Sequence, residues 1–404
     1  MSKKTKSIGS KRINNVAPSA TIATAKKVRE LRAEGKDVIS LSLGEPDFLT
    51  PLHIKNAGVE AIRANFTNYP PVAGIPELRE ATARMFREQH QLEYSPEQVL
   101  VSTGAKQSLY NLMMCLLDPG DEVIVPAPYW VSYLSMIELA GGKAKIVKTG
   151  TDQGYKISPE QLEKAITDKT RIFLLNSPGN PSGMIYTQKE QQALAEVLKA
   201  HPEVWVISDE IYSLLTFDEP HFSFARLEGM YDRTITVNGV SKAFAMTGWR
   251  IGVMAGPQEL INLCERFQGQ VTSGANAMAQ KAAAEALGQN LSTVFRMCQE
   301  YQRRRDLLLE LFGKELPKFV IPKPEGAFYL YPDVSFYLGK KTPAGKALKT
   351  AEDFALYLIE EAQVATVSGE AFGTDKHIRI SYATSTELLK EAVNRMKAAV
   401  DKLK

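Results

Sequence analysis

The sequence predicts an α/β fold, in which a mostly parallel sheet of seven strands is flanked by helices and a smaller α+β unit follows. The first observation is a set of seven short apolar, β-branched runs without polar alternation, which is typical of strands buried on both faces. The runs are VLVST (99–103), DEVIVP (121–126), AKIVKT (144–149), RIFLLN (171–176), VWVISD (204–209), TITVN (234–238) and RIGVMAG (250–256). The second observation is that helical patterns separate several of these runs, and strand–helix alternation favours parallel pairing.

Two of the helical patterns are clear. QKEQQALAEVLKAH (188–201) and SPEQLEKAITD (158–168) both have helical spacing of apolar residues. In the second, Ser158 is placed to cap the helix and Glu160 lies in the first turn, where a negative charge is favourable. These segments are predicted to cover the faces of the sheet.

The third observation is a change of pattern in the last quarter of the chain. A long, charge-rich helical pattern at residues 293–312 predicts a linking helix. Shorter strands are predicted at 327–334 (AFYLYPDV) and 377–383 (HIRISYA), with helices around 351–362 and 385–403. Strands and helices of this length predict a smaller α+β unit.

Composition limits the classes of function. The chain has 404 residues, a net charge of +3 and 24% charged residues, so nothing indicates nucleic acid or a membrane surface as a partner. No stretch approaches the roughly 18 apolar residues of a membrane span. Widely spaced cysteines and scattered histidines predict neither a disulfide framework nor a metal site, and a reducing, cytoplasmic location is expected. They are Cys115, Cys264, Cys298, His53, His90, His201, His221 and His377.

Two turns that follow predicted strands carry polar groups. Ligands of α/β sheets bind beyond the carboxyl ends of the strands. STGAKQS (102–108) opens a helix near Ala105, and its backbone amides suit a phosphate, although plain helix capping explains the same residues. NSPGNPSG (176–183) forms a rigid turn from which Asn180 offers an amide, and a purely structural turn is the alternative.

Two further strand ends carry carboxylates and aromatic rings. SDEIY (208–212) places two carboxylates at one strand end, where a helix cap is the alternative explanation. PAPYWVSY (126–133) places Tyr129 and Trp130 at another, where packing is the alternative to a ligand platform.

Lys242 and Arg250 lie in a run of small and apolar residues that is typical of a buried segment. A lysine whose pKa is lowered by burial is a nucleophile suited to Schiff-base chemistry. A lysine for an aldehyde and a carboxylate for a ring nitrogen are the protein groups that pyridoxal 5'-phosphate requires. Lys242 is therefore expected to be tied to that cofactor and Arg250 to meet its phosphate.

Over residues 11–404 the chain resembles the class I pyridoxal-phosphate aminotransferases, of fold type I, and in particular the bacterial-type aspartate aminotransferases. The resemblance is carried by several long motifs that occur in the expected order. They are SLGEPDF (42–48), YPPVAGIPELREA (69–81), STGAKQ (102–107), PYWVSY (128–133), NSPGNPSG (176–183), SDEIY (208–212), SKAFAMTGWRIG (241–252) and HIRISYAT (377–384).

The resemblance implies a role for each residue around the cofactor ring. Lys242 forms the Schiff base and moves the proton, and Asp209 keeps the ring nitrogen protonated. Asn180 and Tyr212 bind the ring oxygen, and Trp130 stacks on the ring. Further residues bind the phosphate: Gly104, Ala105 and Lys106 through their backbone, Ser241, Arg250, and Tyr69 from the neighbouring subunit. A homodimer with shared active sites is thereby implied.

The resemblance also implies the substrate contacts. Arg379 clamps the α-carboxylate bidentately, assisted by Asn180, Trp130 and the Gly44 backbone. The family's better-known members bind the distal carboxylate with a partner arginine in the segment that matches residues 268–279, which contains no arginine.

The bacterial subgroup instead carries PSAT near its start and a lysine in the phosphate turn, present here at 18–21 and 104–107. By this resemblance Lys106 and Thr21 receive the distal carboxylate, with Ser19 as a further candidate. The resemblance also implies cis peptide bonds at Ala127–Pro128 and Asn180–Pro181.

The implied activity is transfer of the amino group of L-aspartate to 2-oxoglutarate in two half-reactions. The alternatives are a prephenate or aromatic aminotransferase, or a pyridoxal-phosphate β-lyase on the same fold. A cofactor-sensing regulator is disfavoured, because only a short arm precedes Ser19. Three parts are expected: an arm with part of the small domain (1–48), a large cofactor-binding domain (49–292), and the linking helix with the small domain (293–404).

Overall fold

The computed structural model describes residues 8–16, 20–288 and 291–404, which form thirteen α-helices and twelve β-strands. The helices are α1 (Lys11–Asn15), α2 (Ala20–Ala33), α3 (Leu52–Arg63), α4 (Pro76–His90), α5 (Ala105–Leu116), α6 (Ser132–Leu139), α7 (Pro159–Ala165), α8 (Gln188–Lys199), α9 (Gln258–Val271), α10 (Ala277–Gly288), α11 (Ser292–Glu315), α12 (Ala351–Glu361) and α13 (Thr386–Val400). The strands are β1 (Ile39–Ser40), β2 (Val99–Ser102), β3 (Glu122–Ala127), β4 (Lys143–Lys148), β5 (Thr170–Asn176), β6 (Trp205–Asp209), β7 (Thr234–Gly239), β8 (Gly252–Ala255), β9 (Tyr329–Leu330), β10 (Val364–Ala365), β11 (Val367–Ser368) and β12 (Ile378–Ser381).

The predicted seven-stranded sheet is confirmed. Its order is β2-β8-β7-β6-β5-β3-β4, with β8 antiparallel to both neighbours and every other pair parallel. The residues of β2, β7 and β8 are buried throughout, as the unbroken apolar runs predict. The edge strand β4 is the exception, because Lys143 and Lys148 keep it partly exposed.

The predicted helices are present, with ends that differ by a few residues. Ser158 caps α7 by accepting a hydrogen bond from the Gln161 amide at 3.2 Å, as expected. The pattern at 158–168 predicted too long a helix, because α7 ends at Ala165. The pattern at 293–312 predicted too short a helix, because α11 ends at Glu315. Helix ends depend on local capping contacts more than on apolar spacing.

The remaining strands form two small sheets. β1 pairs in parallel with β10, and β11, β12 and β9 form an antiparallel sheet in that order. The strand predicted over 327–334 was too long: only Tyr329–Leu330 pairs regularly, since Pro332 has no amide to donate. The pairing of β1 with β10 supports the proposed assignment of residues before 49 to the small domain, and the three-part division stays a proposal.

Both implied cis peptide bonds are present. Ala127–Pro128 and Asn180–Pro181 are cis, and so is Ser177–Pro178, which was not expected. Within the described residues, no helix has the length and apolar character that crossing a membrane takes.

Candidate active site

The polar strand ends meet around one cavity of about 540 Å³. The central strands other than β8 run in the same direction, so the turns that follow them lie at one edge of the sheet. Most of the predicted site residues line this cavity: Gly44, Ala105, Lys106, Trp130, Asn180, Asp209, Tyr212, Ser241, Lys242, Arg250 and Arg379. The structure therefore brings together residues that are up to 335 positions apart in the sequence, from Gly44 to Arg379.

Two of the described site residues do not line the cavity, and two more predicted residues are not described there. Gly104 lies behind it, against the guanidinium of Arg250. Tyr69 is 96% exposed and points away from the protein's own core. Thr21 lies in α2, but its side chain is outside the described part of the chain, as is the whole of Ser19. The predicted roles of Tyr69, Thr21 and Ser19 thus stay predictions.

Lys242 follows β7 and turns its side chain into the cavity. Its Nζ donates a hydrogen bond to the Gly44 carbonyl at 2.6 Å. Burial lowers the pKa of the ammonium to about 8, and the positive charge of Arg379 adds to this effect. An amine with such a pKa is partly neutral near neutral pH, which is the state that acts as a nucleophile or a base.

Arg250 differs from expectation, because it is exposed at the cavity edge rather than buried. Its Nη1 donates to the Thr247 carbonyl at 2.9 Å, and its backbone adopts a left-handed conformation with φ of 57°. The strand that follows passes directly beneath the phosphate turn: a Cβ on Gly252 would lie 2.1 Å from the Ala105 amide nitrogen. Glycine is therefore required at residue 252.

The start of α5 is open to an anion. Gly104 stands at the cap position with φ of 80° and no side chain caps the helix. The first amides of a helix have no partner inside it, so those of Ala105 and Lys106 face the cavity edge together with the helix dipole. Ser241 and Arg250 line the same cavity. This group has the donors that a phosphate takes.

Asp209 ends β6 and is buried. The Tyr133 hydroxyl donates to its Oδ2 at 2.6 Å, and the Ile211 amide donates to its Oδ1 at 3.3 Å. Burial raises the pKa of the Asp209 carboxyl to about 6. The sequence prediction missed Tyr133, although it lies in the PYWVSY motif, because the motif alone does not show which side chain meets Asp209.

Arg379 is a buried guanidinium with hydrogen-bonding capacity left over. It lies on β12 with 2% of its surface exposed, donates from Nη2 to the Ser42 carbonyl at 2.6 Å and from Nη1 to Asn180 Oδ1 at 3.0 Å. Its Nε has no hydrogen-bond partner among the described residues. The rings of Tyr329 and Phe372 lie 4.7 and 5.1 Å from the guanidinium carbon. A buried cation with an unused donor is arranged to accept an anionic ligand.

Aromatic side chains complete the walls. The Tyr212 and Tyr329 hydroxyls are 2.7 Å apart, so one donates to the other. Lys106 Nζ lies 5.0 Å from the centre of the Trp130 ring. Burial lowers the pKa of the Lys106 ammonium, and nearby Arg250 adds to that effect. Tyr329 is a second residue that the sequence prediction missed.

Behind Asp209 lies a buried polar cluster that residue spacing did not predict. The His221 ring is 2.8 Å from a Glu210 oxygen, and the other oxygen of Glu210 accepts hydrogen bonds from Ser208 and Ser223. His90 packs edge-to-face on His221 with ring centres 5.6 Å apart. The expectation that the histidines are scattered is thus wrong in space for this pair. The contact of 2.8 Å is an ion-pair distance without hydrogen-bond geometry, so Glu210 Oε2 and His221 Nε2 have no hydrogen-bond partner among the described residues.

The cavity suits the pyridoxal phosphate that the resemblance implies. Four cations line it, against two carboxylates, Glu45 and Asp209. The cations are Lys106, Lys242, Arg250 and Arg379. The excess of positive charge and the unused Nε of Arg379 call for anionic ligands. The amine of Lys242 and the buried carboxylate of Asp209 are the groups that the cofactor's aldehyde and ring nitrogen require.

Comparison with known proteins agrees with this geometry. A sequence model of the family "Aminotransferase class I and II" matches residues 36–396. The chain is 51% identical over 385 residues to the aspartate/prephenate aminotransferase of Cereibacter sphaeroides, covering 95% of this chain and 96% of that protein.

Solved structures agree as well. An aspartate aminotransferase from Rhizobium meliloti superimposes with a TM-score of 0.95 at 43% identity, over 99% of this chain and 100% of that one. The Thermus thermophilus aspartate aminotransferase with maleate gives a TM-score of 0.91 at 42% identity, over 98% and 100% of the two chains. The fold, the cavity and these similarities lead to one conclusion: the chain belongs to the class I and II aminotransferases, enzymes that depend on pyridoxal phosphate.

Proposed function

We propose that the protein is an aspartate aminotransferase, which moves the amino group of L-aspartate to 2-oxoglutarate and forms oxaloacetate and L-glutamate. The observation that carries this proposal is a pair of cations in one cavity. Among the described residues, neither Arg379 nor Lys106 has a carboxylate within 4.0 Å. Two such cations suit a substrate with two carboxylates, and aspartate and 2-oxoglutarate both have two.

Arg379 binds the α-carboxylate in this proposal. Its planar guanidinium offers parallel N–H groups, the geometry that a carboxylate accepts best. Asn180 holds one of its nitrogens and the Ser42 carbonyl holds another. The orientation of Arg379 is therefore set before substrate arrives, which limits the entropy lost on binding.

Lys106 binds the distal carboxylate, together with Thr21. Its ammonium lies near the face of Trp130, and burial lowers its pKa. A carboxylate brought close would offset both the burial and the repulsion from Arg250. The position of Lys106 at the start of α5 supports a role in binding an anion. The helix dipole disfavours a cation at this end of a helix unless an anion is bound beside it.

Bound pyridoxal phosphate supplies an aldehyde that condenses with amines and a ring that accepts the electron pair released at the substrate Cα. Lys242 is placed to take the proton from Cα, since its pKa of about 8 leaves the amine able to act as a base. Asp209 holds a proton on the ring nitrogen, and Tyr133 holds Asp209.

The visible absorption spectrum tests this function. The spectrum of the purified protein is recorded before and after addition of L-aspartate without a keto acid. We expect the visible band of the bound coenzyme to disappear while an equimolar amount of oxaloacetate is released. If aspartate leaves the band unchanged, the assignment of the coenzyme would stand and the assignment of aspartate as the substrate would be wrong.

Prephenate is a second candidate substrate. The relative from Cereibacter sphaeroides is named for both aspartate and prephenate, and prephenate also carries two carboxylates. Glutamate with prephenate, and then aromatic donors, are the next combinations to assay. A β-lyase would instead release pyruvate and ammonia with no keto-acid acceptor present.

The protein also acts as a homodimer in this proposal. Tyr69 is 96% exposed. Leu52 and Ile62 on α3, and Leu49 just before that helix, are exposed as well. Exposed apolar side chains of this size are typical of an interface. Across it, Tyr69 would reach the phosphate site of the neighbouring subunit. A cytoplasmic location stays a prediction, supported by three free cysteines.

A further inference from the structure

The loop formed by residues 41–48, called the crossing loop below, accepts hydrogen bonds from Lys242 and Arg379. These are the two cations proposed to act on the α-amino-acid part of the substrate. The Gly44 carbonyl accepts a hydrogen bond from Lys242 Nζ, and the Ser42 carbonyl accepts one from Arg379 Nη2, each at 2.6 Å. A shift of this backbone would therefore move an acceptor away from each cation.

The crossing loop passes very close to the binding site. A Cβ on Gly44 would lie 2.7 Å from the Tyr329 hydroxyl and 3.8 Å from Arg379 Nη1. With so little space, a displacement of the loop by a fraction of an ångström changes the contacts around Arg379.

Arg304 ties the far end of the crossing loop to α11. Its Nη1 donates to Asp47 Oδ1 at 2.8 Å and lies 2.9 Å from Asp47 Oδ2, while its Nε donates to Glu300 at 2.8 Å. The Arg304 side chain is only 7% exposed, so solvent screens this ion pair weakly. The Phe48 ring lies 5.2 Å from the guanidinium carbon and covers it.

Arg304 also reaches the strand that carries Arg379. Its Nη1 lies 3.4 Å from the carbonyl of Tyr382, which follows the last residue of β12. That last residue, Ser381, donates its amide to the Leu41 carbonyl at 2.8 Å. One guanidinium therefore joins three segments: the crossing loop, α11 and the end of β12.

We propose that Arg304 is a positioning residue for the α-carboxylate site: it holds the crossing loop through Asp47, and the loop in turn holds Arg379. Arg304 does not line the cavity, so it acts on the site through its neighbours. The inference rests on the proposed function only in that the substrate has an α-carboxylate, which all amino-acid donors share.

Steady-state kinetics and inhibitor binding test this role. Arg304→Met is compared with the wild-type holoenzyme for KM and kcat with L-aspartate, and for the Kd of succinate, an unreactive dicarboxylate. We expect KM and Kd to rise by about tenfold or more, with a smaller change in kcat, because the backbone of Lys242 follows β7 and only its contact with the Gly44 carbonyl depends on the crossing loop. Arg304→Lys keeps one contact to Asp47 and is expected to restore part of the affinity.

The next residue in the chain provides a matched control. Arg305 is also buried on α11, but it pairs with Asp218 at 2.8 Å and with the Pro324 carbonyl at 2.9 Å, and none of its hydrogen bonds goes to the crossing loop. Arg305→Met removes an equally buried guanidinium. We expect it to lower thermal stability while KM and the succinate Kd stay within about twofold of wild type.

Two results would overturn the proposal: equal rises of KM in the Arg304→Met and Arg305→Met proteins, or an unchanged succinate Kd in Arg304→Met. If Arg304→Met does not fold, Asp47→Ala decides the question with the same expectations, since it leaves Arg304 paired with Glu300. A wild-type protein that does not react with aspartate would contradict the proposed function alone. The Arg304 comparison would then use the amino acid that does react.

Discussion

At the scale of single residues, Tyr133 determines how Asp209 is held. Its hydroxyl donates to the carboxylate at 2.6 Å in a fully buried position. We expect Tyr133→Phe to weaken coenzyme binding by about tenfold to a hundredfold, since a hydrogen bond to a charged group contributes about 1.5–3 kcal/mol. Spectral titration of the coenzyme-free protein with pyridoxal phosphate measures this change.

A neighbouring tyrosine serves as the control for that variant. Tyr129 is also buried but packs against Gly373 and makes no hydrogen bond to Asp209. Tyr129→Phe is expected to leave the coenzyme Kd within about twofold. Equal losses in both variants would show that Tyr133 acts through packing and not through its hydroxyl.

Lys106 discriminates between substrates with and without a distal carboxylate. We expect Lys106→Met to lower kcat/KM for aspartate by about tenfold to a hundredfold, the value of one charge-assisted hydrogen bond. L-Alanine has no distal carboxylate, so its slower transamination is expected to stay unchanged. Equal decreases for aspartate and alanine would place the Lys106 side chain at the coenzyme phosphate instead.

Individual residues also show where sequence reasoning ends. Lys242 and Asp209 could be predicted because each is a charged side chain next to an apolar strand, where burial has to be offset by a ligand. Arg379 was assigned only through the family resemblance. Tyr133 and Tyr329 could not, because an aromatic residue in such a place is as well explained by packing. Which aromatic hydroxyl meets which partner is decided by contacts between distant segments.

At the scale of secondary-structure elements, β8 and α5 approach too closely for any side chain. A Cβ on Gly252 would lie 2.1 Å from the Ala105 nitrogen, so Gly252→Ala must displace the start of α5. We expect a loss of about 1–3 kcal/mol in stability, the usual cost of overpacking, and weaker coenzyme binding. Thermal unfolding and spectral titration measure the two effects.

The same segment contains a control glycine. A Cβ on Gly248 would meet nothing within 4 Å. Gly248→Ala is therefore expected to leave both the unfolding temperature and the coenzyme Kd unchanged. A comparable loss in this variant would mean that the flexibility of the segment matters, and not the contact at Gly252.

The end of α4 carries a pH-dependent contribution to stability. His90 is 1% exposed beside Glu210 and His221, and burial lowers its pKa from 6.5 to about 4. Between these values the unfolded chain binds more protons, so the free energy of unfolding falls as pH falls from 6.5 towards 4. The 2.5-unit difference corresponds to about 3 kcal/mol, at 1.36 kcal/mol per unit.

Denaturant unfolding at several pH values tests this contribution. We expect wild type to lose about 3 kcal/mol more than His90→Asn between pH 7 and pH 4. Asp209, whose pKa is raised to about 6, has the opposite slope in both proteins and cancels in the comparison. A His90→Asn protein with the wild-type slope would contradict the assignment.

The strands of the large sheet were predicted better than their order within the sheet. All seven sheet strands were found from unbroken apolar runs, since burial on both faces leaves a clear pattern. The place of β8 between β2 and β7, antiparallel to both, could not be read from its residues, because pairing partners lie far apart in the chain. The two-residue strands of the small sheets are too short to leave any period.

At the scale of the whole molecule, the exposed Tyr69 carries the proposed link between the active site and dimer formation. Tyr69 is 96% exposed, although its motif assigns it to a phosphate site. In the proposed homodimer a second copy would cover this side chain, since exposed aromatic surface is typical of interfaces. Most closed dimers are symmetric, so each subunit would then complete the other's site.

Hybrid dimers test this arrangement directly. Tyr69→Ala and Lys242→Ala proteins are each expected to be nearly inactive, the first through lost coenzyme and the second through the lost amine. After unfolding and refolding together, half of the dimers are hybrids, and each hybrid has one site with an intact Lys242 and the partner's intact tyrosine. Activity of about a quarter of wild type is therefore expected at a coenzyme concentration that saturates the wild-type protein but not the Tyr69→Ala protein. If Tyr69 acted within its own chain, no hybrid site would be complete and the mixture would stay inactive.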